Sequence, residues 1–280
     1  MDLKDDIIAN IRILENYCWL PKRAEQQLGL STKSFKEDEF GMELRYNLIK
    51  NKLLMLGVKD VVDLGGNCGY FSFQMLDENI VRKAWVYDND IDVLNFGNKV
   101  ANYLGLQDHI SFIEKSLSLN NINELPEVDL VLCLNLIHHA GVSFDVDIVE
   151  KMGWSKYATD FLKILRKKYR IAIIGVGFKK FRPIKWSVPR RLKPIYFSKI
   201  ANQAGWKVVY DANIEDLSFI GERLANGRKT KKTPYIFILE TIYRFVGYRA
   251  ANIISKIFEK LFSTKHGKNK LVNYHIYILQ

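Results

Sequence analysis

The feature that most constrains the fold is an alternation of short apolar runs with helical patterns, beginning at residue 57. The runs are rich in β-branched residues and have the length of strands buried on both faces. They lie at 58–64, 84–88, 110–114, 128–135, 170–176 and 206–211. Apolar residues at helical spacing fill the intervals at 69–80, 91–104 and 145–168. Strands that alternate with helices predict an α/β fold with a mostly parallel sheet and right-handed crossovers.

The two ends of the chain do not follow this alternation. Residues 1–56 show helical spacing only, which predicts a helical extension. Two segments near the other end fit a seventh strand, at 235–240 and at 273–279. We favour 273–279 and interpret 234–263 as an amphipathic helical insert.

Three regions follow from this pattern. The helical extension covers 1–56, the α/β core covers 57–212, and 213–280 holds a basic helical insert followed by the terminal strand of the core.

Charge is distributed unevenly over the 280 residues, whose formal net charge is +11. Residues 221–270 hold 12 lysines and arginines against 3 glutamates, and residues 178–199 hold 8 with no acidic residue. The rest of the chain is net acidic. Regional basicity of this kind indicates a surface for an anionic partner or product and carries no information on the fold.

Cysteine usage and hydropathy indicate the cellular environment. The cysteines at 18, 68 and 133 are far apart and form no CxxC pair, which argues against a structural zinc site and favours a reducing compartment. The acidic start MDLKDDII predicts no secretory segment, and no apolar run reaches the roughly 18 residues of a membrane span. We expect a cytoplasmic protein.

A glycine-rich turn follows the first predicted strand, in the segment VVDLGGNCGYF that contains Asp63, Gly65 and Gly69. Glycines there let the backbone turn sharply and let a ligand approach the main chain, although an ordinary strand-to-helix turn has the same composition. Asp88 ends the second strand, where a carboxylate can accept hydrogen bonds from ribose hydroxyls. Asp90 is better placed than Asp88 to cap the following helix.

A ribose-binding carboxylate suits both NAD and S-adenosylmethionine (SAM), and Asp63 separates the two. A dinucleotide places its pyrophosphate over this turn, and a carboxylate just before Gly65 would repel that anion. The same carboxylate suits the cationic amino-acid end of SAM. The spacing D-x-G-x-N-x-G also differs from the dinucleotide pattern G-x-G-x-x-G.

Three segments together resemble the ordered motifs I, II and IV of class I SAM-dependent methyltransferases. They are DLGGNCGYFS from Asp63, VYD ending at Asp88, and VDLVLCLNLIHH over 128–139. The resemblance covers about residues 58–140. It implies a Rossmann-like, seven-stranded sheet with helices on both faces and SAM across the carboxyl ends of strands 1 and 2.

The resemblance also implies roles for individual residues. Asp63 matches the position that orients the SAM-binding main chain and faces the amino end, and Gly65 and Gly69 match the turn glycines. Asp88 matches the ribose-binding acid. Asn135, after strand 4, matches a position beside the methionine moiety.

Two positions depart from the family pattern. Asn67 replaces the middle glycine of the turn, and asparagine tolerates the left-handed backbone conformation that such a turn can require. Ser116 stands after strand 3, where the family often has an aspartate, and a serine still offers one hydrogen bond to an adenine edge.

His138 and His139 follow strand 4, where the family places residues that face the substrate. Histidine titrates near neutral pH and suits a general base, but either residue could instead cap a helix or pack in the core. The segment lacks the N-P-P-aromatic pattern associated with methylation of the adenine amino group. No carboxylate set suitable for Mg²⁺ follows strands 4 and 5, so we expect no metal.

A proline-rich basic loop follows strand 5 within residues 178–199. Arg182, Arg190 and Arg191 suit phosphate or carboxylate groups, and Trp186 suits a sugar or base. This predicts a binding site for an anionic or sugar substrate, and the alternative is a solvated basic loop. The insert at 234–263 is flanked by basic clusters and suits either an anionic membrane surface or packing on its own domain or a second copy.

We therefore expect a SAM-dependent O-methyltransferase that yields S-adenosylhomocysteine (SAH). A looser resemblance to methyltransferases of bacterial surface-polysaccharide pathways suggests a sugar or a phosphorylated or nucleotide-linked glycan precursor as the acceptor. The alternatives are an RNA methyltransferase, which the basic regions favour although no known RNA-binding module is recognisable, and a non-catalytic binding subunit of the same fold. The intact set of Asp63, Gly65, Gly69 and Asp88 argues against the non-catalytic alternative.

Overall fold

The computed structural model describes residues 2–11, 18–30, 42–178, 194–213 and 273–280. These residues form a Rossmann-like α/β fold around one seven-stranded sheet in the order β3-β2-β1-β4-β5-β7-β6. The strands are β1 (Asp60–Leu64), β2 (Lys83–Asp88), β3 (Ile110–Glu114), β4 (Leu130–Cys133), β5 (Ile171–Phe178), β6 (Val208–Asn213) and β7 (Asn273–Leu279). The described helices are α1 (Leu3–Ala9), α2 (Lys22–Leu28), α3 (Met42–Leu56), α4 (Tyr70–Asp77), α5 (Ile91–Leu104), α6 (Val146–Met152), α7 (Trp154–Lys168) and α8 (Pro194–Gln203).

The strands of the sheet run parallel except for β7, the last strand in the sequence. β1 pairs in parallel with β2 and β4, and β4 pairs in parallel with β5. β7 runs antiparallel between β5 and β6. The prediction that residues 273–279 form the last strand of the core is confirmed, and 235–240 lies outside the described residues.

The two faces of the sheet carry separate apolar layers. One layer combines the sheet with α1 to α5, through buried side chains such as Ile7, Tyr46 and Phe73. The other combines it with α6 to α8, through side chains such as Phe161 and Phe197. The helices before residue 57 therefore share a hydrophobic core with the sheet, and burial of apolar area is the main term that stabilises this arrangement.

The helical pattern over 145–168 corresponds to two helices, α6 and α7, with a break at Gly153 that the sequence analysis did not predict. Gly153 has φ 79° and ψ 146°, which lies outside the helical region and is accessible to glycine. The interruption lets Trp154 begin α7 as a buried side chain, whose indole Nε1–H donates a hydrogen bond to the carbonyl of Ile137 at 3.2 Å. The break thus fastens α7 to the segment that follows β4.

None of the helices in the described ranges is long and apolar enough to cross a bilayer.

A helical glycine sets the spacing between α5 and the sheet. At Gly97, a Cβ atom would overlap the ring of Phe112 on β3. The close approach of this helix to the sheet therefore depends on the missing side chain.

We expect Gly97→Ala to lower the free energy of unfolding by about 1–3 kcal/mol, because the added methyl group overpacks the α5–β3 contact. Urea unfolding followed by circular dichroism measures the change. Asn95→Ala is the matched control, since Asn95 is an exposed position on the same helix and should leave stability nearly unchanged. Equal stability of Gly97→Ala and the wild type would contradict the close-packing interpretation.

Candidate active site

The turn after β1 is built from left-handed residues. Gly65, Asn67 and Gly69 have φ angles of 66°, 55° and 82°. The N–H groups of Gly65 and Gly66 both donate hydrogen bonds to the carbonyl of Tyr87 on β2, at 2.8 and 3.2 Å. The turn is therefore fixed to the neighbouring strand, and it lies at the carboxyl ends of β1 and β2, where open α/β sheets bind ligands.

Asp63 lies beneath this turn. Its side chain is 2% exposed and accepts a hydrogen bond from Ser72 Oγ at 2.9 Å. A Cβ atom at Gly66 would come within 2.8 Å of Asp63 Cγ, so Gly66 must lack a side chain for the turn to close over the carboxyl group. The structure places Asp63 where it supports the main chain of the turn; its contact with the amino end of SAM remains a prediction.

The buried position changes the proton affinity of Asp63. Burial raises the pKa of its carboxyl group from 3.8 to about 7, the negative charge of Asp88 adds to this rise, and the hydrogen bond from Ser72 opposes it.

Asp88 joins the turn to the loop after β2. One carboxylate oxygen accepts the N–H of Asn67 at 2.9 Å, and the other accepts the N–H groups of Asn89 and Asp90 at 2.8 and 3.2 Å. A carboxylate has about four acceptor sites, so these three bonds leave room for a further donor. The side chain of Asp90 caps α5 by accepting bonds from the N–H groups of Asp92 and Val93, as the sequence predicts.

A segment before α2 also contacts the turn, and no pattern in the sequence indicated this contact. The Cys18 thiol donates a hydrogen bond to Asn67 Oδ1 at 2.8 Å, and the Cys68 thiol donates to the carbonyl of Trp19 at 3.4 Å. The N–H of Lys22 donates to Gln74 on α4 at 3.0 Å. The extension before residue 57 therefore supports the glycine turn from outside the sheet.

The segment after β4 contains the predicted residues Asn135, His138 and His139. Asn135 is exposed and has φ 58°. His138 is 3% exposed, and its ring centroid lies 4.3 Å from that of His139, which is partly exposed. Of the two histidines, His139 is therefore the more accessible to a substrate. Leu136 packs against Gly65, so this segment adjoins the glycine turn.

Arg45 and Tyr274 complete this part of the site and were not predicted. Arg45 is 3% exposed on α3, and its guanidinium carbon lies 3.8 Å from the ring centroid of Tyr274 on β7. Arg45 Nη1 donates to Asn135 Oδ1 at 3.4 Å, and the N–H of Asn135 donates to Tyr274 Oη at 3.3 Å. One sequence signal was present: Gly175 interrupts the apolar run of β5, and an interior strand glycine often marks a close approach. A Cβ atom there would overlap Tyr274 Oη.

A histidine–carboxylate pair, also missed, lies between the last two strands. His275 Nδ1 is 2.8 Å from Asp211 Oδ1, with His275 buried on β7 and Asp211 partly exposed on β6. It faces the layer opposite to Arg45, since His275 alternates with Tyr274 along the strand.

The remaining predicted residues divide into two groups. Ser116 is exposed, and its carbonyl accepts a hydrogen bond from Asn121 Nδ2 at 2.9 Å; its contact with adenine stays a prediction. The predicted substrate residues lie outside the described residues, as does the segment 234–263. These substrate residues are Arg182, Trp186, Arg190 and Arg191.

No group of three or more histidine, cysteine, aspartate or glutamate side chains within the described ranges is arranged to hold a metal ion.

The arrangement fits SAM. The turn approaches a ligand without side chains at Gly65, Gly66 and Gly69, and the partly exposed carboxylate of Asp88 has acceptor capacity for ribose. Asn135 is exposed one strand away on the other side of β1, and its contact with the methionine end of SAM stays a prediction.

Comparison with known proteins gives relatives of the same fold. No protein-family model matches the chain. A tRNA U34 carboxymethyltransferase from Nautilia profundicola is 25% identical over 212 residues, which is 72% of this chain. The match spans 62% of the length of that relative.

Comparison with solved structures finds proteins of similar fold. A SAM-dependent methyltransferase from Geobacter sulfurreducens, in complex with SAH, covers 97% of both chains at 12% identity and a TM-score of 0.51. The bifunctional kinase-methyltransferase WbdD covers 76% of this chain and 43% of its own at 18% identity and a TM-score of 0.51. The chain therefore has the Rossmann-like fold of the class I SAM-dependent methyltransferases, as its motifs indicated.

We expect the raised pKa of Asp63 to make stability depend on pH. Between about pH 4 and pH 7 the unfolded chain has released a proton that folded Asp63 keeps, so the free energy of unfolding falls as pH rises. Asp63→Asn removes this contribution. The stability of the wild type relative to the variant should fall by on the order of 3–4 kcal/mol between pH 4 and pH 8, and then level off.

Urea unfolding of both proteins across this range measures the difference. Asp108→Asn, the same change at an exposed carboxylate, is the matched control and should show no such trend. A difference between the wild type and Asp63→Asn that stays constant with pH would show that Asp63 is ionised in the folded protein at all these pH values.

Proposed function

We propose that the chain is a SAM-dependent methyltransferase that methylates an oxygen of a sugar or of a phosphorylated or nucleotide-linked glycan precursor. The proposal that the chain binds SAM rests on the hydrogen bond that the N–H of Asn67 donates to the carboxylate of Asp88. This bond joins the glycine turn to the end of β2, so the protein's own backbone would hold the Asp88 carboxylate in place for a ribose. Acceptors held in this way bind at a lower cost in ordering than groups that must be rearranged.

The chemistry asks little of the protein beyond alignment. When bound, SAM would supply a methyl group on a sulfonium: an acceptor oxygen would attack the methyl carbon in line, the S–CH₃ bond electrons would return to sulfur, and SAH would leave. The glycine turn and Asp88 would hold the adenosine part, and Asn135 would hold the amino-acid end. Alignment of this kind can supply a large share of the rate acceleration.

The acceptor hydroxyl must lose its proton as the O–CH₃ bond forms, and we assign its removal to His139. His139 is partly exposed after β4, whereas His138 is buried against it. A neutral imidazole suits this role near pH 7.

The acceptor class rests on the sequence. The basic segment 178–199 combines arginines with Trp186, which suits a phosphorylated or nucleotide-linked sugar. It follows β5 in the sequence, and its residues 179–193 lie outside the described residues. The looser motif resemblance to surface-polysaccharide methyltransferases supports the same class.

An RNA acceptor is the second candidate. It is favoured by the tRNA-modifying relative and by the basic segment 221–270. The two candidates differ in salt dependence, because each phosphate contact to single-stranded RNA contributes about −0.7 to the slope of log affinity against log salt.

We expect the wild type to bind SAH and Asp88→Ala to weaken this binding about tenfold or more, since a charge-assisted hydrogen bond is lost. Asp88→Asn keeps one acceptor oxygen and should weaken binding less. Isothermal titration calorimetry measures both. Asp90→Asn is the matched control, because asparagine also caps α5 and the cofactor site is untouched. Unchanged affinity in a folded Asp88→Ala would remove Asp88 from the site.

The acceptor is tested with radiolabelled SAM against nucleotide sugars, glycan phosphates and total RNA. We expect transfer to a sugar-containing small molecule. Methylation of RNA, with RNA affinity that falls steeply with salt, would replace the proposed acceptor by the second candidate.

With that acceptor, His139→Ala should lower kcat by roughly 10²–10⁴ while SAH affinity stays nearly constant. The same substitution at buried His138 is the comparison, and it should affect thermal stability more than His139→Ala does. Full activity of His139→Ala would place the base elsewhere.

A further inference from the structure

Asn135 is held from two sides by residues distant in sequence. Its N–H donates to Tyr274 Oη at 3.3 Å, and its side-chain oxygen accepts from Arg45 Nη1 at 3.4 Å. Its φ of 58° is uncommon for a residue other than glycine. Because both its backbone and its side chain are bonded, the left-handed conformation and the direction of the amide are fixed together.

Arg45 and Tyr274 also fix each other. The guanidinium stacks 3.8 Å from the tyrosine ring centroid, and both residues are at least 95% buried. Gly175 on β5 leaves the space that Tyr274 Oη occupies. Burial raises the pKa of Tyr274, while Arg45 opposes the rise, so the phenol stays protonated at neutral pH. A buried cation–π pair of this kind is worth more than an exposed one.

The same tyrosine reaches the histidine segment. The ring of Tyr274 meets that of His138 edge-on, with centroids 6.4 Å apart. One buried ring on β7 thus contacts both Asn135 and His138 in the segment after β4.

From these contacts we infer that Arg45 and Tyr274 are positioning residues that hold the exposed amide of Asn135 toward the amino-acid end of SAM. The inference rests on the proposed function. Arg45 and Tyr274 should therefore affect the affinity for ligands that carry the amino-acid end. They should not affect the affinity for the adenosine part, which we assign to Asp88 and the glycine turn.

Two ligands distinguish binding of the amino-acid end from binding of the adenosine part. SAH carries adenosine and the amino-acid end, and 5′-methylthioadenosine carries adenosine alone. We expect Arg45→Met and Tyr274→Phe each to weaken SAH about three- to tenfold in calorimetry, because each variant loses one hydrogen bond that holds Asn135. Affinity for 5′-methylthioadenosine should stay within about twofold of the wild-type value. Tyr274→Phe keeps the ring and the packing, so the two affinities can be compared in this variant even if Arg45→Met does not fold.

A double-mutant cycle tests whether the effect passes through Asn135. Asn135→Gly accepts the left-handed backbone but lacks the amide side chain. In that background Arg45→Met should have no further effect on SAH affinity. A merely structural role of Arg45 would persist there.

Matched controls make the same chemical changes at cation–π pairs outside the site. Tyr210→Phe alters the ring under Lys52, and Arg166→Met removes the guanidinium over Trp206. Both should leave the two affinities unchanged.

Equal weakening of both ligands, unchanged SAH affinity in Tyr274→Phe, or an Arg45→Met effect that survives in Asn135→Gly would overturn the inference while leaving the proposed function in place. A wild type that binds neither ligand would overturn the proposed function and the inference with it.

Discussion

The candidate site depends on the hydrogen bond that the N–H of Asn67 donates to the carboxylate of Asp88. Without it, the turn after β1 would keep its backbone hydrogen bonds to the carbonyl of Tyr87 but would lose its bond to the end of β2. With it, the end of β2 fixes the turn after β1, and the partly exposed carboxylate of Asp88 lies between them. The left-handed conformations of Gly65, Asn67 and Gly69 are the local requirement for that geometry.

The two carboxylates of the candidate site, Asp63 and Asp88, have different environments. Asp63 is buried under Gly66, where desolvation favours the protonated form. Asp88 is partly exposed and accepts three backbone N–H bonds. The first supports the turn from below, and the second has the exposure that a ligand needs. The motif resemblance assigned different roles to these two positions, and the structure adds their difference in burial.

What could be predicted from the sequence was local in origin. The strand of residues 273–279 and the cap at Asp90 follow from alternation and from the chemistry of one side chain. The interruption at Gly153 was missed, because helical spacing continues on both sides of a glycine and only the burial of Trp154 shows why the chain turns there. Arg45 and Tyr274 were missed for another reason: they meet Asn135 from 90 and 139 residues away, and no local pattern records such a contact.

The most direct test of the cofactor site is a crystal structure of the chain grown with SAH. We expect ribose hydroxyls within hydrogen-bonding distance of the Asp88 carboxylate, the adenosine over the turn of Gly65 to Gly69, and the amino-acid end beside Asn135. SAH bound elsewhere on the chain, or bound at this edge with its ribose away from Asp88, would contradict this assignment.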